Sequence, residues 1–157
     1  QLDTGSNFTI IFVMEPKNTS TTDSILFNNN DSSNTLYFIG NSQNKSRLKT
    51  GNNYHELSTV KTGLQILTYN YDDNKITYDR NGNRIRAKER GNALGLNNRS
   101  TIGGLDINNN HLEFELKEVL VFSDKLNYFE LKQVYKYLEK QREVRTGEPS
   151  TIFLHNF

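Results

Sequence analysis

Read for alternation of apolar and polar residues, the chain resolves into many short strands and one helix. From His111 to Phe122 the positions Leu112, Phe114, Leu116, Leu120 and Phe122 are apolar, while His111, Glu113, Glu115 and Lys117 are polar. That period of two predicts a half-buried strand with the five apolar residues facing a sandwich core. Asn127 precedes Glu130 by three positions, the spacing at which a side-chain cap and an acid reaching back to it open a helix. Leu131, Val134, Tyr135 and Leu138 follow at helical spacing, predicting a helix over about 127–142 docked at the sandwich edge.

Upstream, Phe8 to Met14 is almost wholly apolar and Pro16 stops it, as in a strand covered on both faces. Ser24 to Phe27 and Thr35 to Ile39, separated by polar turns, are expected to form a meander with it. Arg47-Leu48-Lys49 reads as a short edge strand guarded by charge, and Leu57 to Val60 as another short strand. Gly63 to Tyr71 places Leu64, Ile66, Thr68 and Asn70 on one face and Gln65, Leu67, Tyr69 and Tyr71 on the other. Asn81-Gly82 predicts a type I′ turn, which needs positive φ at both central residues, pairing Ile76-Thr77-Tyr78 with Arg84 to Lys88. After the helix, Arg145 to Ser150 is a linker and Thr151 to Phe157 a candidate last strand. Turns at roughly 8–12 residue spacing with a single helix imply an all-β fold, an antiparallel β-sandwich with one short C-terminal helix.

Composition narrows this. A chain of 157 residues fits a single domain over residues 1–157, and Gln1 in place of an initiator Met suggests part of a longer or processed chain. Hydrophobic residues make up only 34%, and Asn is the commonest residue, which suits a fold with many turns. The five Asn-x-Ser/Thr sites, at Asn7, Asn18, Asn30, Asn44 and Asn98, are what such a composition yields by chance. A net charge of +1 gives no general attraction to nucleic acid or membrane, and no apolar run approaches the ~20 residues of a spanning helix. The absence of Cys excludes a disulfide framework and thiolate metal sites, and suits a prokaryotic or phage protein.

Candidate chemistry is sparse. Glu113 and Glu115 share a strand face with Lys117, the pattern of a solvated face. His55, His111 and His155 are too scattered for a ligand set, and neither a nucleophile elbow nor a phosphate-binding loop is present. Arg84, Arg86, Lys88 and Arg90 share parity and would form a basic stripe able to grip an acidic glycan or a neighbouring subunit, or to guard an exposed edge. No aromatic residue lies between Asn81 and Thr101, so single-stranded nucleic acid is not expected there. Sugar binding asks for aromatic faces beside planar polar groups, and Tyr69, Tyr71, Tyr78, Asp79 and Arg80 provide that mixture around one hairpin.

Several motifs occur in a recognisable order. Ile102-Gly103-Gly104 is followed by Leu112-x-Phe114-x-Leu116-x-Glu118-Val119-Leu120-Val121-Phe122, then Lys125-Leu126-x-x-x-Glu130 and Tyr137-Leu138. This resembles the tail of a laminin G-like domain of the concanavalin A-like lectin/glucanase superfamily. Asn7-Phe8-Thr9-Ile10 resembles its opening strand and Tyr78-Asp79-Arg80-Asn81-Gly82 its hairpin. The resemblance implies jelly-roll connectivity and a candidate calcium site among Asp72, Asp73, Asn74 and Asp106, with no other cofactor. It further implies a non-enzymatic carbohydrate-binding or structural module, displayed on a virion as a fibre, decoration or capsid-associated domain. Its partners would be surface glycans or other virion subunits, within a homo-oligomer or larger assembly. The alternative is a glycosidase or accessory domain of a bacterial glycan-active enzyme, although the glucanases' compact cluster of an Asp between two Glu residues is absent.

Overall fold

A strand that is apolar at nearly every position is stable only where both its faces are covered, and that requirement fixes the place of Phe8–Pro16 (β1). The computed structural model describes residues 7–17, 24–28, 34–40, 45–50, 53–59, 61–72, 75–89, 101–102 and 114–142. The remaining strands are Ser24–Asn28 (β2), Asn34–Gly40 (β3), Lys45–Thr50 (β4), Asn53–Thr59 (β5), Gln65–Asp72 (β6), Lys75–Arg80 (β7), Asn83–Glu89 (β8), Thr101–Ile102 (β9) and Phe114–Phe122 (β10). One helix, Tyr128–Arg142 (α1), follows. The strands form two five-stranded antiparallel sheets, ordered β10-β1-β6-β7-β8 and β5-β4-β3-β2-β9. The fold is thus the expected antiparallel β-sandwich with a C-terminal helix.

The two faces of the first sheet have different partners. Phe8, Ile10, Phe12, Met14, Leu67, Tyr69, Tyr71, Ile76 and Tyr78 pack together with Leu57 of the second sheet. On the outer face Ile11, Val13 and Ile66 meet Leu131, Tyr135 and Leu138 of α1. The helix therefore lies on a sheet face, correcting the expectation that it docks at an edge. A helix of 15 residues is marginal alone, and each fully buried apolar side chain adds about 1.5–3 kcal/mol, so docking sustains it. Its start is fixed as expected. Asn127 Oδ1 accepts from the N–H groups of Phe129 and Glu130 at 2.9 and 3.1 Å, and Glu130 Oε2 accepts from Asn127 N–H at 2.7 Å.

Three other expectations change. β1 pairs with β10 and β6 rather than joining a meander with β2 and β3. The segment around Arg47-Leu48-Lys49 lies inside its sheet, between β3 and β5, and not at an edge. The third change is in β10, whose apolar residues do not share one face. Val13 stands opposite Glu118 but Met14 stands opposite Leu116, so Lys117 is an extra residue in the ladder, and a bulge of this kind reverses parity. Before it, Phe114 packs toward the sandwich core; after it, Val119 and Val121 take that side while Leu120 and Phe122 turn to the helix. Leu116 is 41% exposed, and Leu112 lies outside the described residues. The switch puts Glu118 on the helix side, where it accepts from Tyr137 O–H at 3.1 Å and from Arg142 Nε–H at 2.8 Å.

The Asn81-Gly82 turn forms as predicted, with φ of 49° and 78°. Asn81 also ties the hairpin tip to β6: its N–H donates to the Ile66 carbonyl at 2.8 Å and its Oδ1 accepts from Ile66 N–H at 2.7 Å. On the outer face, the half formed by β6, β7 and β8 is polar. Thr68 lies opposite Asp79, and Asp79 opposite Arg84. Arg84 Nε–H donates to the buried Asp79 carboxylate, and Tyr135 O–H donates to Thr68 Oγ1 at 2.9 Å. Burial raises the Asp79 carboxyl above its ordinary value, against the opposing pull of Arg84. Burial, and then the Asp79 charge, likewise raise the Tyr135 phenol.

Two outcomes follow from this packing. Leu138→Ala should lower the unfolding free energy in urea by about 2–5 kcal/mol, whereas Phe129→Ala, at a position 70% exposed, should change it by no more than about 0.5 kcal/mol. Because the folded chain raises the Asp79 pKa, that group's stabilisation is fully present below the ordinary carboxylate value and is lost as pH rises through the raised one. The stability difference between the wild type and Asp79→Asn, followed by urea denaturation from the ordinary carboxylate pH upward, should therefore shrink with rising pH. A difference that grows would show that Arg84 outweighs burial.

Candidate functional site: a pocket between the helix and the outer sheet face

Asn70 of β6 and Thr77 of β7 face each other directly across the outer side of the first sheet. Above them the chain passes from β10 into α1, leaving a pocket of about 340 Å³. Asn70 and Thr77 lie on its floor, Leu126 and Leu131 supply apolar wall, Tyr128 contributes an aromatic ring, and Asp72, Lys75 and Lys125 line it near the β6–β7 turn. The loop that roofs it is anchored by one buried hydroxyl. Thr9 Oγ1 accepts from Leu126 N–H at 2.9 Å and donates to Asn70 Oδ1 at 2.6 Å, with the Asp124 carbonyl a second acceptor at 3.1 Å. Lys125 closes the strap by pairing with Asp72.

The floor is chemically unfinished. Thr77 is 6% exposed, and its hydroxyl is buried with no hydrogen-bond partner among the described residues. Asn70 is 2% exposed; its amide oxygen is taken by Thr9, and its Nδ2 has no partner among the described residues. Buried polar groups left unpaired are costly, about 1–3 kcal/mol each, and a ligand able to bond to them recovers that loss. A second pocket, of about 270 Å³, opens where Leu57, Ser58 and Thr59 of β5 approach Ile85 and Arg86 of β8. Among the described residues no aromatic ring lines it, and the one carboxylate there, Glu56, is held by Lys45 at 3.5 Å and Arg47 at 3.8 Å.

Among the described residues singled out from sequence, Asp72 and Arg84 line the first pocket and the others lie elsewhere. Tyr69, Tyr71 and Tyr78 are 0%, 3% and 1% exposed and fill the sandwich core, so their ring faces meet other core side chains and not a sugar. Tyr71 stacks on Phe8 with ring centroids 4.1 Å apart, and Tyr69 lies 5.0 Å from Tyr78. Burial, reinforced by the neighbouring Tyr78, raises the Tyr69 phenol well above its usual range. Asp79 is on the opposite face, beneath the helix. Arg80 is structural: its Nη2 donates to Ser58 Oγ at 2.7 Å and to the Thr59 carbonyl at 2.5 Å, stitching the first sheet to the second.

The basic stripe is also broken. Arg84 stands opposite Asp79 but Arg86 stands opposite Tyr78, so Ile85 is an extra residue and the two arginines lie on opposite faces. Lys88 is placed opposite Ile76 by the same register, and Arg90 is outside the described residues. Of the calcium candidates, Asp72 is paired with Lys125, while Asp73, Asn74 and Asp106 are outside the described residues. Among the described residues no group of three or more potential ligands could hold a metal ion. Glu115 is exposed and paired with Lys117 and Lys17, which hold its carboxyl below the usual range, Lys117 contributing most. Glu113, His111 and His155 are outside the described residues, and His55 lies in β5.

Sequence reading gave no site role to Asn70, Lys75, Thr77 or Tyr128 of the pocket. The available signal was that Thr68 and Asn70 put polar atoms on a strand face otherwise headed by Leu64 and Ile66, which marks where that face stops being simple core.

No protein-family model and no curated relative matches the chain. Solved structures do match its fold. Domain 4 of AbnA, a GH43 extracellular arabinanase from Geobacillus stearothermophilus solved with arabinotriose, superposes with a TM-score of 0.62 at 10% identity over 85% of this chain. The binding domain of Paraclostridial Mosquitocidal Protein 1 gives 0.65 at 17% identity over 87%. Botulinum neurotoxin type C, whose cell entry depends on interaction with two ganglioside molecules, gives 0.63 at 11% identity over 84%. This chain spans 69% of the arabinanase domain but only 39% and 36% of the two toxin chains. At these identities the likeness is one of fold, and the fold is a β-sandwich found in carbohydrate- and receptor-binding domains.

Proposed function

We propose that this chain is a non-enzymatic carbohydrate-binding module and that its sugar sits in the pocket between α1 and the outer face of β6 and β7. The observation that carries the reading is the buried Thr77 hydroxyl, which has no hydrogen-bond partner among the described residues, set beside Asn70 and the Tyr128 ring in one pocket. Sugars offer hydroxyls to such groups and an apolar ring face to an aromatic side chain. The matched arabinanase domain and toxin binding domains, whose partners include arabinotriose and gangliosides, support a binding rather than a catalytic role.

A retaining glycosidase needs two carboxyl groups about 5–5.5 Å apart, one of them held protonated. Glu15 and Glu115 do face each other across β1 and β10, but Lys17 bridges them, at 3.2 and 3.5 Å, and Glu115 is held ionised. That arrangement opposes general-acid chemistry. The concanavalin A-like, jelly-roll assignment belongs to the proposal and is supported by two stacked five-stranded antiparallel sheets. So does display on a virion with surface glycans or other subunits as partners, which rests on composition and on the resemblance of the motifs. An accessory role in a larger glycan-active enzyme is the second reading, favoured by the match to one domain of an arabinanase.

A glycan array probed with the whole chain tests the module directly, with Tyr128→Ala as the partner variant. Binding to at least one sugar class is expected, weakened by about 1 kcal/mol, some fivefold, in Tyr128→Ala. A folded chain that binds no glycan would instead support a structural role.

A further inference from the structure

We infer that the pocket selects a carboxylate-bearing sugar, its acid group held by Lys75, Asn70 and Thr77. This rests on the sugar-binding reading above and narrows it to a ligand class. The pocket groups without a partner among the described residues are all able to donate: Asn70 Nδ2, the Thr77 hydroxyl and the Lys75 ammonium. The acceptors nearby are already engaged. Asp72 is paired with Lys125, Asp79 with Arg84, and Asn70 Oδ1 with Thr9. Arg84 and Lys125 are therefore matched by these two carboxylates, while Lys75, opposite Glu89 in the β7–β8 ladder, brings its ammonium to the pocket lining.

A carboxylate answers this set, because it accepts only and its two oxygens offer about four lone-pair sites. The hydroxyls of a neutral sugar can satisfy Asn70 and Thr77 but leave the ammonium unmatched. Asn70 and Thr77 are shielded from water, at 2% and 6% exposure, so hydrogen bonds from them to an anion gain strength from its charge. The volume of about 340 Å³ lies at the small end of ligand pockets, about 300–1,000 Å³, and suits the tip of a glycan more than a chain laid across a surface.

The test titrates the whole chain with glucuronate, N-acetylneuraminate, the methyl ester of glucuronic acid and glucose, by calorimetry and by amide NMR shifts, at low and high salt. The acids should bind, move the Asn70 and Thr77 amide signals, and weaken as salt rises; the ester and glucose should bind about tenfold more weakly or less well still. Lys75→Gln should lower affinity for the acids about tenfold and leave glucose unchanged. Thr77→Val, which removes a buried hydroxyl that lacks a partner, should lower acid binding while thermal stability holds or rises, and a purely structural hydroxyl would not behave so. Equal binding of acids, ester and glucose, indifferent to salt and to Lys75→Gln, would overturn the carboxylate assignment and leave sugar binding standing. A folded chain that binds none of the four, yet binds other sugars on the array, would overturn it as well, and no binding anywhere would remove both readings.

Discussion

Burial of β1 on both faces is the constraint from which the rest of the architecture follows. Its seven residues from Phe8 to Met14 are all buried, and no single partner layer could cover them. One face requires the second sheet and the other requires α1, so a helix too short to be stable alone becomes an integral third layer. Thr9, the polar residue in this run, is turned to use: it holds the loop that leads into the helix and orients the Asn70 amide in the pocket floor. The core strand thus positions the candidate site through one hydroxyl.

Two single-residue bulges then decide what that sheet presents to its surroundings. The extra residue Lys117 turns Leu120 and Phe122 toward the helix and carries Glu118 to the side where Tyr137 and Arg142 can reach it. The extra residue Ile85 separates Arg84 from Arg86, directing the first to Asp79 on the outer face and setting the second opposite Tyr78. Both bulges lie in the strands at the two ends of the five-stranded order, where an irregular ladder disturbs only one neighbour. They exchange a continuous apolar or basic face for residues shared between two environments.

The outer face consequently grades from apolar, where β10 and β1 lie under the helix, to polar, where β6, β7 and β8 meet. Tyr135 spans the transition with its ring buried and its hydroxyl on Thr68. Where the apolar seal ends, the helix start and its preceding loop stand off the sheet and leave the pocket. An interior polar layer is stable when its groups are bonded, as Thr68, Asp79 and Thr9 are. The buried Thr77 hydroxyl, without a partner among the described residues, distinguishes the pocket floor from that bonded layer.

Local patterns were legible from the residues alone because local physics sets them. The two-sided burial of Phe8 to Met14, the positive φ of Asn81-Gly82, the Asn127 cap with Glu130, and the Leu131, Tyr135, Leu138 stripe each depend on a few neighbouring residues. The all-β sandwich followed from their number and spacing. Parity across a bulge could not be read, since the insertion of Lys117 or Ile85 is defined only against the partner strand. Nor could the fate of Tyr69, Tyr71 and Tyr78, because an aromatic ring suits a sugar or a core equally until the opposing sheet is in place. The pocket unites β6, β7 and the start of α1, some fifty residues apart in the chain, and only tertiary packing sets Asn70, Thr77 and Tyr128 around one space.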